Sequence, residues 1–108
     1  MVRIKIFDKT HRLIIETLKI LDDFPYSENY GLRSRIKISA SSMLDNIKGV
    51  YKKRGRPDYC DRFNSANNSL EETKYNLLLA CNLGYIEQVA FKKLLMSLNE
   101  IKQLLVDV

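Results

Sequence analysis

Tryptophan is absent from this chain, and cysteine, proline, histidine and glycine are scarce. There are two Cys, two Pro, one His and four Gly in 108 residues. Each shortage closes off a class of function. Cys60 and Cys81 make no CxxC pair, and His11 alone cannot complete a zinc site with them. The expectation is two buried thiols in a reducing compartment. No glycine-rich phosphate loop, nucleophile elbow or HExxH stretch occurs. Glu71 and Glu72 are adjacent, so on a helix they point about 100° apart and do not form an acid–base pair. A di-metal site in a bundle core needs Glu-x-x-His motifs, which one histidine cannot supply. His11 reads as a surface or rim residue. The sequence therefore proposes no reaction, no cofactor and no metal. Long apolar runs are missing as well, so no membrane span is expected. The opening Met-Val-Arg-Ile-Lys-Ile-Phe-Asp lacks the apolar stretch of a signal peptide, which places the protein in the cytoplasm.

What is present is the composition of a globular domain: 45% hydrophobic and 29% charged residues, with a net charge of +5. The length suits one domain able to bury a core without disulfides or metal. Four amphipathic segments account for nearly all of it, with neither an internal repeat nor a low-complexity tract. The first runs from about Asp8 to Phe24, with Phe7, Ile14, Leu18 and Leu21 on one face and Pro25 as its stop. The second runs from about Ser27, read as an N-cap with Glu28 at the positive helix start, to Lys53. Its stripe is Leu32, Ile36, Ala40, Met43, Ile47 and Val50. The third, about Asp58 to Leu83, carries Tyr59, Phe63, Ala66, Leu70, Thr73, Leu77 and Ala80, and Gly84 is a natural residue to end it. Asn64, Asn67, Asn68, Asn76 and Asn82 are expected on its outer surface. The fourth starts near Glu87 and carries Phe91, Leu94, Leu98, Ile101, Leu105 and Val108. Four long amphipathic helices with short connectors predict an all-α, antiparallel up-down-up-down four-helix bundle spanning residues 1–108.

Two helices carry more apolar surface than one core face requires. Apolar residues spread over about 220° of the first helix and about 200° of the fourth, where a stripe somewhat wider than about 100° suffices. A neighbouring copy is the simplest cover, so self-association is expected through residues such as Leu13, Ile20, Leu95 and Leu104.

The positive charge is not spread evenly. Arg33, Lys37, Lys48 and Lys52 fall within about 100° of one another on the second helix. Their stripe continues into Lys53, Arg54 and Arg56, and Arg62 follows one turn into the third helix. Residues 48–62 hold six basic and two acidic side chains, a local net charge of +4 that is nearly all of the excess. Clustered Lys and Arg bind phosphates and release counterions, so these eight residues are the candidate nucleic-acid site. Tyr51 and Tyr59 flank the loop as candidates for stacking on unpaired bases. Arg54-Gly55-Arg56-Pro57 matches the core of an AT-hook, but Asp58 stands where that motif continues with basic residues.

Phe24-Pro25-Tyr26-Ser27-Glu28-Asn29-Tyr30-Gly31-Leu32 resembles the first connector of a bacterial four-helix-bundle family. Leu77-Leu78-Leu79-Ala80-Cys81-Asn82-Leu83-Gly84-Tyr85-Ile86 resembles the end of that family's third helix. The family includes proteins encoded in ribosomal-RNA intervening sequences and the accessory variability determinants (Avd) of diversity-generating retroelements. The intervening-sequence branch usually carries Ile-Pro-x-Asn-Ile-Ala-Glu-Gly. The stretch Ser42 to Gly49 shares Asn46, Ile47 and Gly49 with it but lacks the Pro, the Ala and the Glu, which leans the resemblance toward the Avd branch. That branch implies a non-enzymatic, barrel-shaped homopentamer with a positive surface, associated with RNA and a reverse transcriptase. The other branch implies a structural oligomer or protein-recruiting scaffold that binds no nucleic acid.

Overall fold

A computed structural model describes residues 2–107. Four α-helices make up the chain: α1 (Val2–Leu21), α2 (Leu32–Lys52), α3 (Tyr59–Asn82) and α4 (Gln88–Val106), with a short 3-10 turn at Tyr26–Glu28. Each packs against its two neighbours in a closed order, α1 on α2, α2 on α3, α3 on α4 and α4 on α1. The result is the antiparallel four-helix bundle that the apolar periodicity predicts.

The stripe predicted for α2 is the buried one: Leu32, Ile36, Ala40, Met43, Ile47 and Val50 all lie in the core. Leu94, Leu98, Ile101 and Leu105 do the same for α4, while Val108 lies outside the described residues. On α3, Ala66, Leu70, Thr73, Leu77 and Ala80 are buried. Small residues let α2 and α3 approach closely. Asn46 Nδ2 donates to the Ser69 hydroxyl, and the Ser42 and Ser69 hydroxyls lie 3.4 Å apart.

Some expectations for the helices change. Helix α1 begins at Val2, not near Asp8, and its core face is Ile6, Thr10, Leu13, Thr17 and Leu21. Phe7, Ile14 and Leu18 sit at the edge of that face, half-buried. The two threonines hid the true stripe, because polar residues do not register in an apolar count. Asn76 is also inside, 5% exposed, and not on the outer surface of α3. The thiols differ from expectation too, since Cys60 is exposed and Cys81 half-buried.

The connectors at one end are tied together. Helix α2 starts after Gly31, later than Ser27, and the Glu28 carboxylate takes up its first N–H from the preceding turn. Glu28 Oε1 accepts the Leu32 N–H at 3.1 Å, and Oε2 accepts the Tyr85 hydroxyl at 2.9 Å. Tyr85 follows Gly84, whose φ of +81° ends α3 with Tyr85 N–H bonded to Ala80 O at 2.9 Å. That bond closes a Schellman turn, which a residue with a side chain resists. The ring of Tyr85 lies 5.4 Å from that of Phe24. One carboxylate therefore joins the α1–α2 connector to the α3–α4 connector.

Candidate nucleic-acid interface

Antiparallel topology sorts the basic residues by end. The start of α1, the end of α2, the Lys53–Asp58 connector and the start of α3 meet at one end of the bundle. Lys48, Lys52, Lys53, Arg54, Arg56 and Arg62 are all there. Arg33 lies 19 residues before Lys52 on one continuous helix, about 28 Å away at 1.5 Å per residue. Lys37 is one turn from Arg33. The eight candidate residues thus form a row with a dense end, not one compact patch.

Their local partners separate them further. Arg33 is half-buried: its Nε donates to Leu21 O at 3.1 Å, and its guanidinium lies 3.8 Å from Asp22. It closes the C-terminus of α1, where backbone carbonyls lack helical partners. Lys53 and Arg62 share a single carboxylate, Asp58, at 3.4 and 4.0 Å. Arg62 also lies across Gly49, with its Cδ 3.6 Å from where a Cβ on that glycine would sit. Among the described residues, Lys37, Lys48, Lys52, Arg54 and Arg56 have no carboxylate within ion-pair distance and are exposed. These five are the cations whose charge is least offset locally.

The structure adds one cation that sequence clustering missed. Arg3, on the first turn of α1, is exposed and lies near Tyr51 together with Arg54. Nothing in the local sequence links positions 3 and 54. Only the return of α2 beside α1 brings them together.

Neither flanking tyrosine is arranged as the sequence implies. The Tyr51 ring meets Phe7 edge-on, with centroids 5.5 Å apart and planes at 86°. Its hydroxyl is buried with no hydrogen-bond partner among the described residues. Burial pushes its pKa above the ordinary value, against the pull of Arg54 and Arg3. Tyr59 lies on α3, 6.4 Å from Phe63, and the two line a shallow pocket of about 250 Å³ with Cys60 and Asn64. Tyr59 still lies near enough to Tyr51 to act on its hydroxyl, so the two share this end of the bundle, both half-buried against the core.

The tract Arg54-Gly55-Arg56 is folded, not extended. Gly55 has φ +76°, Arg56 N–H bonds Lys53 O at 2.9 Å, and Tyr59 N–H bonds Arg56 O at 3.1 Å. An AT-hook needs an extended tract to enter a minor groove, so that reading loses its geometric basis.

The predicted self-association residues also separate. Leu13 is 1% exposed inside its own bundle and so cannot meet a second copy. It points along the α1 core face that the threonines concealed. Ile20, Leu95 and Leu104 are half-buried. Leu95 lines a groove of about 300 Å³ between α3 and α4, with Tyr75, Leu78 and Phe91. Leu104 lines another with Lys5, Lys9, Glu100 and Gln103. Ile38 on α2 is 66% exposed, an apolar surface residue that the count on α1 and α4 did not include. His11 is exposed, as its reading on a rim requires. Among the described residues no three His, Cys, Asp or Glu side chains cluster to hold a metal ion, and no helix is long and apolar enough to cross a membrane.

A search among curated proteins finds no match to the chain. A protein-family model does match, over residues 3–107, and it describes the 23S rRNA-intervening sequence protein. The match therefore names the intervening-sequence branch, although the stretch from Ser42 to Gly49 lacks that branch's Pro, Ala and Glu. With the match running through all four helices, the chain belongs to the 23S rRNA-intervening sequence protein family.

Proposed function

We propose that this protein is a non-catalytic accessory protein that binds RNA through the basic end of its bundle and works as a homo-oligomer. The observation that carries the reading is the set of exposed cations without a carboxylate partner at that end: Lys48, Lys52, Arg54 and Arg56 from one connection, and Arg3 from another helix. Such a set binds phosphate oxygens, and release of condensed counterions drives the affinity. Self-association is supported by the apolar groove between α3 and α4 and by the exposure of Tyr75 and Leu78 there. The resemblance to Avd proteins supports a pentamer and a reverse transcriptase as the protein partner. A reverse-transcriptase gene beside this one, with variable and template repeats, is the genomic observation that would favour that partner.

The test is RNA binding by fluorescence anisotropy across a salt series. Changing Lys52, Lys53, Arg54 and Arg56 to Ala together should lower the slope of log affinity against log salt by about 3 to 4. Unchanged affinity at low salt would remove the basic end as the site. That result would favour the second reading, a structural oligomer that recruits a protein through the α3–α4 groove and binds no nucleic acid.

A further inference from the structure

We infer that the basic surface of this bundle takes duplex RNA in preference to single-stranded RNA. The inference rests on the nucleic-acid reading above and adds the form of the ligand.

Two features lead to it. The first is the rigidity and alignment of the charges. Lys37, Lys48 and Lys52 are separated by 11 and 4 residues on one unbroken helix. Those spacings are close to three turns and one turn, so the three side chains share a flank over about 22 Å. Arg54 follows just past the helix end, and Arg3 on the first turn of α1 lies near Tyr51 at the same end of the bundle. Asp45 is the acidic residue within this row, exposed and without an ion pair among the described residues. A straight, pre-ordered row of cations suits a stiff backbone whose phosphates are already in place.

The second feature is the direction of the aromatic rings. Sites for single strands combine positive charge with exposed rings on which bases stack. On this surface the rings turn inward: Phe7 and Tyr51 pack against each other, with the Tyr51 hydroxyl buried. The most exposed tyrosines, Tyr26 and Tyr30, lie at the far end of the bundle. There Asp23 also stands exposed, and Asp22 is paired with Arg33. Tyr59 and Phe63 are half-buried, pack against the core and lie 6.4 Å apart in their own pocket. Phosphate contact without stacking is the pattern of double-stranded RNA recognition, which reads shape and backbone and not sequence.

The experiment compares the full-length protein on an RNA duplex of about 24 base pairs and on one of its strands, chosen to be unstructured, by fluorescence anisotropy at low salt. A duplex of that length exceeds the row of cations, which spans about 22 Å. The duplex should bind about tenfold tighter or more, with little dependence on its sequence. Changing Lys37, Lys48 and Lys52 to Ala should lower the duplex salt slope by about 3, while Tyr59→Ala should leave duplex affinity unchanged. Equal or tighter binding of the strand overturns the inference, and its loss on Tyr59→Ala would move the site to the α3 pocket. Binding of neither ligand overturns the nucleic-acid reading itself. The wild-type comparison decides between these outcomes whatever the variants do.

Discussion

Arg33 offers a sharp test, because sequence and structure give it opposite roles. The basic stripe makes it a phosphate contact, whereas the structure makes it a closure for α1. Its Nε donates to Leu21 O at 3.1 Å with only 30% of the side chain exposed. A hydrogen bond from a charged donor contributes about 1.5–3 kcal/mol, and a cation at a helix C-terminus adds about 0.3–1 kcal/mol. Two facts pull the value down. Phe24 N–H also reaches Leu21 O at 3.1 Å, so losing Arg33 does not orphan the carbonyl. The ion pair with Asp22 spans 3.8 Å to a carboxylate 79% exposed, which contributes little. Arg33→Ala should therefore cost about 1.5–2 kcal/mol, and Arg33→Lys less, since the charge stays while the fork is lost. Urea denaturation followed by circular dichroism measures this, with the midpoint falling and the slope unchanged. RNA affinity should stay near the wild-type value, while Arg54→Ala should weaken binding and leave stability within about 0.5 kcal/mol. The reasoning fails if Arg33→Ala leaves the midpoint unmoved and weakens RNA binding as much as Arg54→Ala does.

Two other outcomes follow from buried and bridging polar groups. Thr17 is fully buried on the α1 core face, and its hydroxyl has no partner among the described residues. Thr17→Val, which keeps the shape and removes that hydroxyl, should stabilise the fold by about 1–2 kcal/mol in urea denaturation; a net loss would mean the hydroxyl is satisfied in solution. The Leu32 N–H, and then the Tyr85 hydroxyl, hold the Glu28 carboxyl below its ordinary 4.5. A lowered carboxyl stabilises the fold fully above its unfolded value and loses that contribution as pH falls through the lowered folded value. Stability followed from about pH 6 to about pH 3 should therefore drop less steeply in Glu28→Gln than in the wild type, and parallel acid limbs would refute the bridge.

Much of the fold was legible in the sequence because the signals are local. The α2 stripe from Leu32 to Val50 repeats at the helical period without a polar interruption, so its buried face could be read directly. Gly84 marks the end of α3 because the backbone there needs a positive φ. The α1 face is hidden in the sequence for an equally physical reason. Thr10 and Thr17 occupy core positions that an apolar count skips, which shifted the face toward Ile14 and Leu18 and presented Leu13 as surplus. Asn76 was placed outside by the same rule.

The sequence by itself determined the helices, their order and the concentration of positive charge between Lys48 and Arg62, since each depends on residues within a few turns of one another. Tertiary structure alone decided which charges act together. Folding sent Arg33 to the far end, where it holds Leu21 O, and paired Lys53 and Arg62 with Asp58. It also brought Arg3 and Arg54 near the same residue, Tyr51, and turned that ring inward against Phe7. Charge is written in the sequence, but the distance between charges and the direction of a ring depend on how antiparallel helices return past one another.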